Sequence, residues 1–156
     1  MSDLFDLALH LVDLSGADCK QVVDDHGIKV EGITGVSGAR AISAAGVTLG
    51  VDRIILDEHS SFPLHTHEGD HLLYVLGGTG AIHINGKEIP LESGQSIFVP
   101  AVYPHGLRGP LEGDALQIIA FSTPHHPVDS IERMTVVEES EPYLDGLMLG
   151  SGKILG

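Results

Sequence analysis

The chain has 156 residues, which suits one domain with its own hydrophobic core and is short for two. Its 8 Lys and Arg residues against 22 Asp and Glu residues give a formal net charge of −14, and such a surface repels nucleic acid and anionic lipid. No stretch approaches the roughly 20 apolar residues of a membrane span, and the first residues lack the positive charge of a secretion signal. We therefore expect neither nucleic acid nor a membrane among the partners.

Near the N-terminus, apolar residues recur at helical spacing and predict an amphipathic helix over residues 3–14. Two β-prone runs, 18–23 and 28–33, flank the turn sequence Asp-Asp-His-Gly and predict a hairpin. The following segment, 34–46, is rich in Gly, Ser and Ala and is expected to form a loop and an irregular strand. The single cysteine, Cys19, excludes an internal disulfide and suits a reducing cytoplasm, so we expect a cytoplasmic protein with a buried or half-buried thiol.

The central part of the chain carries a dense strand pattern. Strands are predicted over residues 47–56, 72–76, 80–84, 87–91, 96–99 and 115–121. The Asn85-Gly86 pair is the strongest two-residue hairpin signal, because both residues accept a positive φ. Short strands with Gly and Pro between them favour an all-β sandwich or barrel. Farther on, residues 128–139 predict a short helix or strand, and the tail 150–156 is expected to be loose or to clamp onto a partner subunit.

Four histidines, His65, His67, His71 and His105, fall in two runs that strands could bring together. The first two share one face of a strand, because side chains alternate with a period of two. Imidazole is the commonest side-chain ligand of transition metals and binds in the neutral form that it mostly has at pH 7. The four residues therefore predict a site for one divalent transition metal per chain. Mn, Fe, Co, Ni, Cu and Zn all accept imidazole, so the sequence does not select the ion.

The two histidine runs resemble the two motifs of the cupin superfamily. The first motif is matched by His65-x-His67, three residues, His71, six residues and Gly78, and the second by Gly94, Pro100 and His105. The resemblance covers roughly residues 45–125. It implies a double-stranded β-helix, or jelly-roll, barrel with a short N-terminal helix. We expect a single domain with an N-terminal helix and extra strands over 1–46, the barrel over 47–125 and a C-terminal extension over 126–156.

The sequence departs from the family pattern at four positions. His71 replaces the usual Glu ligand, whereas Val102 and Gly109 replace a turn Gly and the closing Asn of the second motif. His59 stands where the first motif begins with Gly. Four neutral imidazoles leave the metal its full positive charge, whereas a Glu ligand would cancel one unit. The site should therefore be a stronger Lewis acid and favour anionic, chelating substrates.

By resemblance, the leading interpretation is a metal-dependent enzyme, namely a mononuclear dioxygenase that cleaves a chelating enolate, diketone or phenolic small molecule. Redox-neutral chemistry at the same site, as in a cyclase, isomerase or lyase, is the first alternative, since four-histidine cupins of that kind are also known. A non-enzymatic small-molecule-binding module is the second alternative. Metal substitution separates the first two, because a Lewis acid needs no redox-active ion.

Residues around the histidines supply further candidates. Tyr103 and Glu68 are the candidate catalytic residues, as proton carriers close in sequence to the predicted ligands. Gln117 and Arg53 are polar residues in otherwise apolar strands, and would orient a substrate if they pointed inward. Tyr74 alternates with Leu73 and Val75 and is expected outside the site.

The remaining histidines and aromatic residues are given structural roles. Phe62, Phe98 and Phe121 are expected to form pocket wall or core. His10 and His26 are expected at the surface, and turn or surface positions are expected for His59, His83, His125 and His126. Small barrels commonly hide edge strands by pairing with a second copy, so a homodimer is expected.

Overall fold

The computed structural model describes residues 5–16, 18–42 and 48–137. Within these ranges the secondary structure is almost entirely β. In chain order the elements are α1 (Leu7–His10), β1 (Lys20–Val23), β2 (Lys29–Ile42), β3 (Thr48–Leu56), β4 (His65–Thr66), β5 (Asp70–Gly77), β6 (Thr79–Ile84), β7 (Lys87–Glu92), β8 (Ser96–Val99), β9 (His105–Arg108), β10 (Leu116–Thr123) and β11 (Thr135–Val136). No helix in the described ranges is long and apolar enough to cross a bilayer.

The strands form two antiparallel sheets with a common core. One sheet has the order β1-β2-β3-β10-β5-β8 and the other β11-β4-β9-β6-β7. Along β3, β5 and β10 every second residue is buried, as expected for strands with one face on the core. The core draws on both sheets, with Ile54, Val75 and Ile118 from the first and Ile82 and Leu107 from the second. The predicted all-β jelly-roll barrel is therefore confirmed.

The predicted central strands all form, with ends shifted by no more than two residues. Asn85 and Gly86 adopt φ values of 57° and 73°, as the predicted hairpin turn requires. Two strands, β4 and β9, escape prediction because they contain only two and four residues and show no usable alternation. Both begin at a predicted metal ligand, so the missed elements are those that build the site.

The predicted helix over residues 3–14 is wrong in extent, since α1 is a single turn; residues 3 and 4 lie outside the described ranges. Asp6 caps its start by accepting a hydrogen bond from the Ala8 N–H, and Leu11 returns to an extended conformation. Beyond it, the carbonyl of Leu14 accepts a hydrogen bond from Arg53 Nη1 at 3.1 Å. Leu11 stays 67% exposed, so a longer helix would have had no apolar surface to cover.

The Gly- and Ser-rich segment after residue 33 forms strand up to Ile42, so the irregular strand predicted within 34–46 is present and the predicted loop does not occur before residue 43. Residues 43–47 lie outside the described ranges. Strand β2 pairs with β3 both before and after a register shift between Ser37 and Arg40. Small residues are required there because a Cβ on Gly38 would lie 2.5 Å from the Val51 carbonyl oxygen. Close backbone approach, and not flexibility, explains this composition.

Both ends of the chain add strands to the barrel. The hairpin predicted around residues 24–27 is confirmed as β1 and β2, and Cys19 before it is exposed, contrary to the buried or half-buried thiol expected. The strand alternative for 128–139 is realised by β11, which pairs with β4. The prediction for the tail 150–156 lies outside the described residues.

Candidate metal centre

The predicted histidines meet in a small cavity between the two sheets. His65 begins β4, His71 lies on β5 and His105 begins β9, while His67 follows β4. The ladder between β4 and β9 pairs His65 directly with His105. The cavity has a volume of about 30 Å³. Its lining consists of Ile54, Phe62, His65, His67, His71, Leu73, His105, Leu107, Ile118, Ala120, Arg133 and Met134.

Three of the four histidines form a compact cluster. His65, His67 and His105 each offer a ring nitrogen within 4.8 Å of the other two. The ring centroids of His105 lie 4.5 Å from His65 and 4.4 Å from His67. Zinc–nitrogen bonds are about 2.0–2.1 Å, so two nitrogens on one ion are separated by at most about twice that length. The cluster is therefore close to the size that a single transition-metal ion needs.

His71 reaches the same cavity without joining this cluster. Its ring stacks on that of His67, with centroids 3.7 Å apart and planes 3° from parallel. The side chain is buried and lines the cavity. Its role as the fourth ligand stays a prediction.

Backbone carbonyls orient two of the rings. Nδ1 of His65 lies 2.7 Å from the Pro63 carbonyl oxygen, and Nδ1 of His105 lies 3.0 Å from that of Tyr103. A carbonyl can only accept, so each Nδ1 carries the hydrogen and donates it. In a neutral ring this leaves the lone pair on Nε2, which is the usual arrangement of a histidine ligand with an outer hydrogen-bond partner.

The protein environment keeps the four rings neutral. Burial lowers the pKa of His105 to about 4. Burial, followed by the positive charge of Arg133, lowers the pKa of His71 to about 2. The pKa values of His65 and His67 also fall well below the ordinary value, mainly through burial and then through the neighbouring rings. Neutral imidazoles are the form that binds metal.

An unpartnered nitrogen supports the same conclusion. Nδ1 of His67 is buried and has no hydrogen-bond partner within the described residues. Buried polar atoms in proteins are rarely left unpaired, and a bound ion or ligand is one common reason. With several neutral, buried imidazoles around one cavity, the residues fit a divalent transition metal and do not select which one.

A charged network that the sequence did not predict lies beside the cavity. The Asp52 carboxylate accepts hydrogen bonds from His125 Nε2 at 2.9 Å and from Arg133 Nη1 at 2.8 Å. The Asp52 and His125 side chains are fully buried, and Arg133 is 7% exposed. Burial alone would raise the pKa of Asp52, but the His125 hydrogen bond and the Arg133 charge together hold it below its ordinary value.

His125 was expected in a turn or at the surface, and this expectation is wrong. The neighbouring strand admits its ring because Gly50 has no side chain; a Cβ there would lie 2.4 Å from the imidazole. A signal was available in the predicted strand 47–56, where Asp52 and Gly50 alternate with the outward-facing residues. A carboxylate at a core position requires a buried partner. Nothing in the sequence identified Arg133 or His125 as that partner.

Arg53 and Gln117, the two residues that would orient a substrate if they pointed inward, lie on the outer face of the six-stranded sheet. Arg53 donates from Nε and Nη2 to Gln117 Oε1, at 3.0 and 2.8 Å, and neither residue lines the cavity. Phe62 lines the cavity as expected, but Phe98 and Phe121 are 57% and 43% exposed, so their predicted place in the core or pocket wall is wrong.

The two candidate catalytic residues also lie away from the cavity lining. Glu68 is 65% exposed and its carboxylate lies 2.8 Å from His126 Nε2. Tyr103 contributes its backbone carbonyl to the orientation of His105, and its side chain is not among the lining groups. Tyr74 is 41% exposed, which agrees with its expected position outside the site. A role for Glu68 or Tyr103 as proton carrier stays a prediction.

Comparison with known proteins places the barrel in a family. Residues 53–127 match the family model described as Cupin domain. The chain is 38% identical over 57 residues to the Oxalate-binding protein of Thermotoga maritima, a stretch that covers 36% of this chain and 47% of that protein. The match therefore spans less than half the length of that relative.

Solved structures share the fold over a longer part of the chain. KdgF from Halomonas sp. superposes with a TM-score of 0.58 at 23% identity, covering 74% of this chain and 94% of the other. The polyketide cyclase RemF from Streptomyces resistomycificus gives a TM-score of 0.58 at 21% identity, covering 85% of this chain and 88% of that one. The family match and the shared architecture both fall on the barrel that carries the histidine cluster, and residues 53–127 form a cupin domain.

Proposed function

We propose that this protein is a metal-dependent cupin enzyme that binds one divalent transition metal and acts on a small, chelating organic anion. His65, His67 and His105 would hold the metal, with His71 as the fourth ligand. The observation that carries the proposal is the buried cluster of three ring nitrogens within 4.8 Å of one another. The similarity to the Oxalate-binding protein of Thermotoga maritima, which is named for a small chelating dianion, supports this class of ligand.

The bound metal would supply a Lewis-acid centre, and also a redox centre if it is Mn, Fe, Ni or Cu. The chain's own residues would orient the ligands and limit the entry of water. Pro63 and Tyr103 fix two imidazoles through their carbonyl oxygens, at 2.7 and 3.0 Å from the ring nitrogens. Phe62, Leu73 and Met134 contribute apolar wall, which keeps the surroundings of the ligands in a low dielectric.

For the reaction we propose dioxygenase chemistry, an oxidoreductase activity that cleaves an enolate, diketone or phenolic compound. The support is the all-imidazole donor set, which adds no negative charge and so favours an electron-rich, anionic substrate. A redox-neutral cyclase, isomerase or lyase would use the same donors. The two reactions differ in their need for dioxygen and for a redox-active ion.

The test begins with elemental analysis of protein purified without chelator. Iron- and zinc-loaded forms are then compared in an oxygen electrode with acetylacetone and catechol as probes. Dioxygen consumption by the iron form alone supports the dioxygenase. Turnover by the zinc form under argon would instead support redox-neutral chemistry.

Two variants complete this experiment. His105→Gln removes a predicted ligand, and we expect it to lose both metal and activity. His10→Gln is the matched control, because His10 lies on α1 and does not line the cavity, and it should change neither. A wild-type protein that binds metal but converts no probe would favour a small-molecule-binding module.

A further inference from the structure

Arg133 is the one permanently charged side chain among the described residues that line the cavity. It is 7% exposed, in a chain with only 8 Lys and Arg residues and a net charge of −14. Burying a guanidinium is costly unless its charge and its N–H groups find partners. The burial of the Arg133 charge beside the histidine cluster therefore requires a compensating interaction.

The structure satisfies only part of the Arg133 guanidinium. Nη1 donates to Asp52 Oδ2 and to the His126 carbonyl oxygen, both at 2.8 Å. Nε and Nη2 make no hydrogen bond to any residue of the described ranges 5–16, 18–42 and 48–137. A guanidinium offers five N–H donors in a planar fork, so one side of it stays available to a ligand in the cavity that it lines.

Formal charges point to the sign of that ligand. Asp52 compensates the charge of Arg133, and the four neutral histidines compensate none of the charge of a divalent ion. A loaded cavity would therefore carry two uncompensated positive charges between apolar walls that include Ile54 and Ile118. An anion with oxygen atoms directed both to the ion and to the guanidinium would neutralise this charge.

We propose that Arg133 selects the ligand of the cavity, and that this ligand is a small carboxylate held between the guanidinium and the histidine cluster. The inference rests on the proposed metal-binding function and extends it to a substrate class. A planar guanidinium fork matches the two oxygens of a carboxylate.

The experiment uses the cobalt-loaded full-length protein, whose visible spectrum reports ligands that bind at the metal. Three probes are titrated: oxalate as a small carboxylate, imidazole as a neutral metal ligand, and inorganic phosphate as another oxyanion. Arg133→Gln removes the charge and the fork. Arg53→Gln is the matched control, because Arg53 binds Gln117 and does not line the cavity.

We expect Arg133→Gln to weaken oxalate binding about 10- to 100-fold, the range for loss of charge-assisted hydrogen bonds. Arg133→Lys, which keeps the charge without the fork, should fall between this variant and the wild type. Cobalt content and imidazole affinity should stay unchanged in all of these variants, and Arg53→Gln should bind all probes like the wild type. Phosphate should bind more weakly than oxalate.

Arg133→Gln leaves Asp52 buried without its cation and could fail to fold. The double variant Asp52→Asn/Arg133→Gln removes both members of the ion pair and keeps the experiment decisive, since it should fold, retain cobalt and still bind oxalate weakly. Unchanged oxalate affinity in the double variant would overturn the inference while leaving the metal site intact. Equal weakening of oxalate and imidazole would show that Arg133 acts through the metal site, and would also overturn it.

Two further outcomes separate the inference from the function on which it rests. Phosphate binding tighter than oxalate would overturn the assignment to a carboxylate. A wild-type protein that retains no cobalt would overturn the proposed metal-binding function itself, and the inference with it.

Discussion

Asp52, His71 and Ser122 are buried on the inner face of the six-stranded sheet, whereas Leu72 and Phe98 on its outer face are 47% and 57% exposed. Near the cavity, therefore, polar side chains are buried among the apolar residues of the inner face, while large apolar side chains are exposed on the outer face. Polar groups inside a barrel must be paired with one another or with a ligand, because burying them alone is costly. The contrast supports the ligand site that we propose for the interior, and it calls for a separate test of the exposed outer face.

The largest effect is expected from removal of an interior ligand. His105→Gln should lower metal affinity by about 100-fold or more. Loss of an outer hydrogen-bond partner of a ligand already lowers metal affinity by about 10- to 100-fold, and loss of the ligand itself should lower it further. Metal content after dialysis, measured by mass spectrometry, checks the prediction. Full retention of one ion per chain would contradict the cluster as the metal site.

Removal of the buried carboxylate should come next. Asp52→Ala should lower the free energy of unfolding by about 3–5 kcal/mol, because it strands the Arg133 charge in the interior. The matched control is Glu88→Ala, which breaks the Arg108–Glu88 pair at the surface and should cost less than about 1 kcal/mol. Chemical denaturation measures both values. Similar losses in the two variants would remove the distinction between interior and exterior charges.

The pH dependence of the metal-free protein separates the two interior clusters. The pKa of His105 is lowered to about 4 by burial, whereas a histidine in an unfolded chain titrates near about 6.5. The unfolded chain then binds more protons in this window, so stability is fully present above pH ~6.5 and is lost as the pH falls towards 4. Asp52, with a pKa below its ordinary value of 3.8, loses its contribution only under still more acidic conditions.

Thermal denaturation between pH 7 and 4 measures this loss, which amounts to roughly 1.4 kcal/mol per pH unit for each of the four cavity histidines whose pKa is lowered. His105→Gln should reduce the slope by one such contribution, because glutamine does not titrate. A melting temperature that stays constant over this range would contradict the neutral, buried state of the rings.

The smallest effect on stability is expected at the outer face. Leu72 pairs across the sheet with Phe98 and with Phe121, so three exposed apolar side chains form one row. The predicted homodimer would use this face, and Phe98→Ser should yield a monomer in sedimentation velocity with little change in stability. Leu111→Ser, at a 67% exposed position outside the sheets, is the control. A wild-type monomer at micromolar concentration would show that the dimer prediction is wrong.

The sequence predicted the parts of the site that depend on local spacing. His65 and His67 stand two residues apart, and the turn at Asn85-Gly86 depends only on the conformations those two residues accept. Arg133 could not be predicted in the same way, because it follows the last long strand in a segment without periodicity. Its place in the cavity depends on where the chain returns, which is a property of the whole fold.

The period-two alternation along a strand shows which residues share a face, but it does not show which face packs on the core. Arg53 and Gln117 were correctly recognised as polar residues in apolar strands, but they bind each other on the outer side. Asp52, one position away from Arg53, is the inward-facing polar residue. Which of the two adjacent residues faces the core depends on the phase of the alternation along the strand, and the sequence left that phase open.

The pairing of β11 with β4 has a consequence for how the cavity could be opened. Val136 lies opposite His65 in this ladder, and Arg133 lies two residues before the start of β11. The two residue pairs between β11 and β4 therefore connect Arg133 and the strand that begins with His65 to the same short stretch of backbone. Detaching that stretch would displace Arg133 and Met134 from the cavity wall together, so an opening at this point would admit a ligand only while the residue proposed to select it is withdrawn.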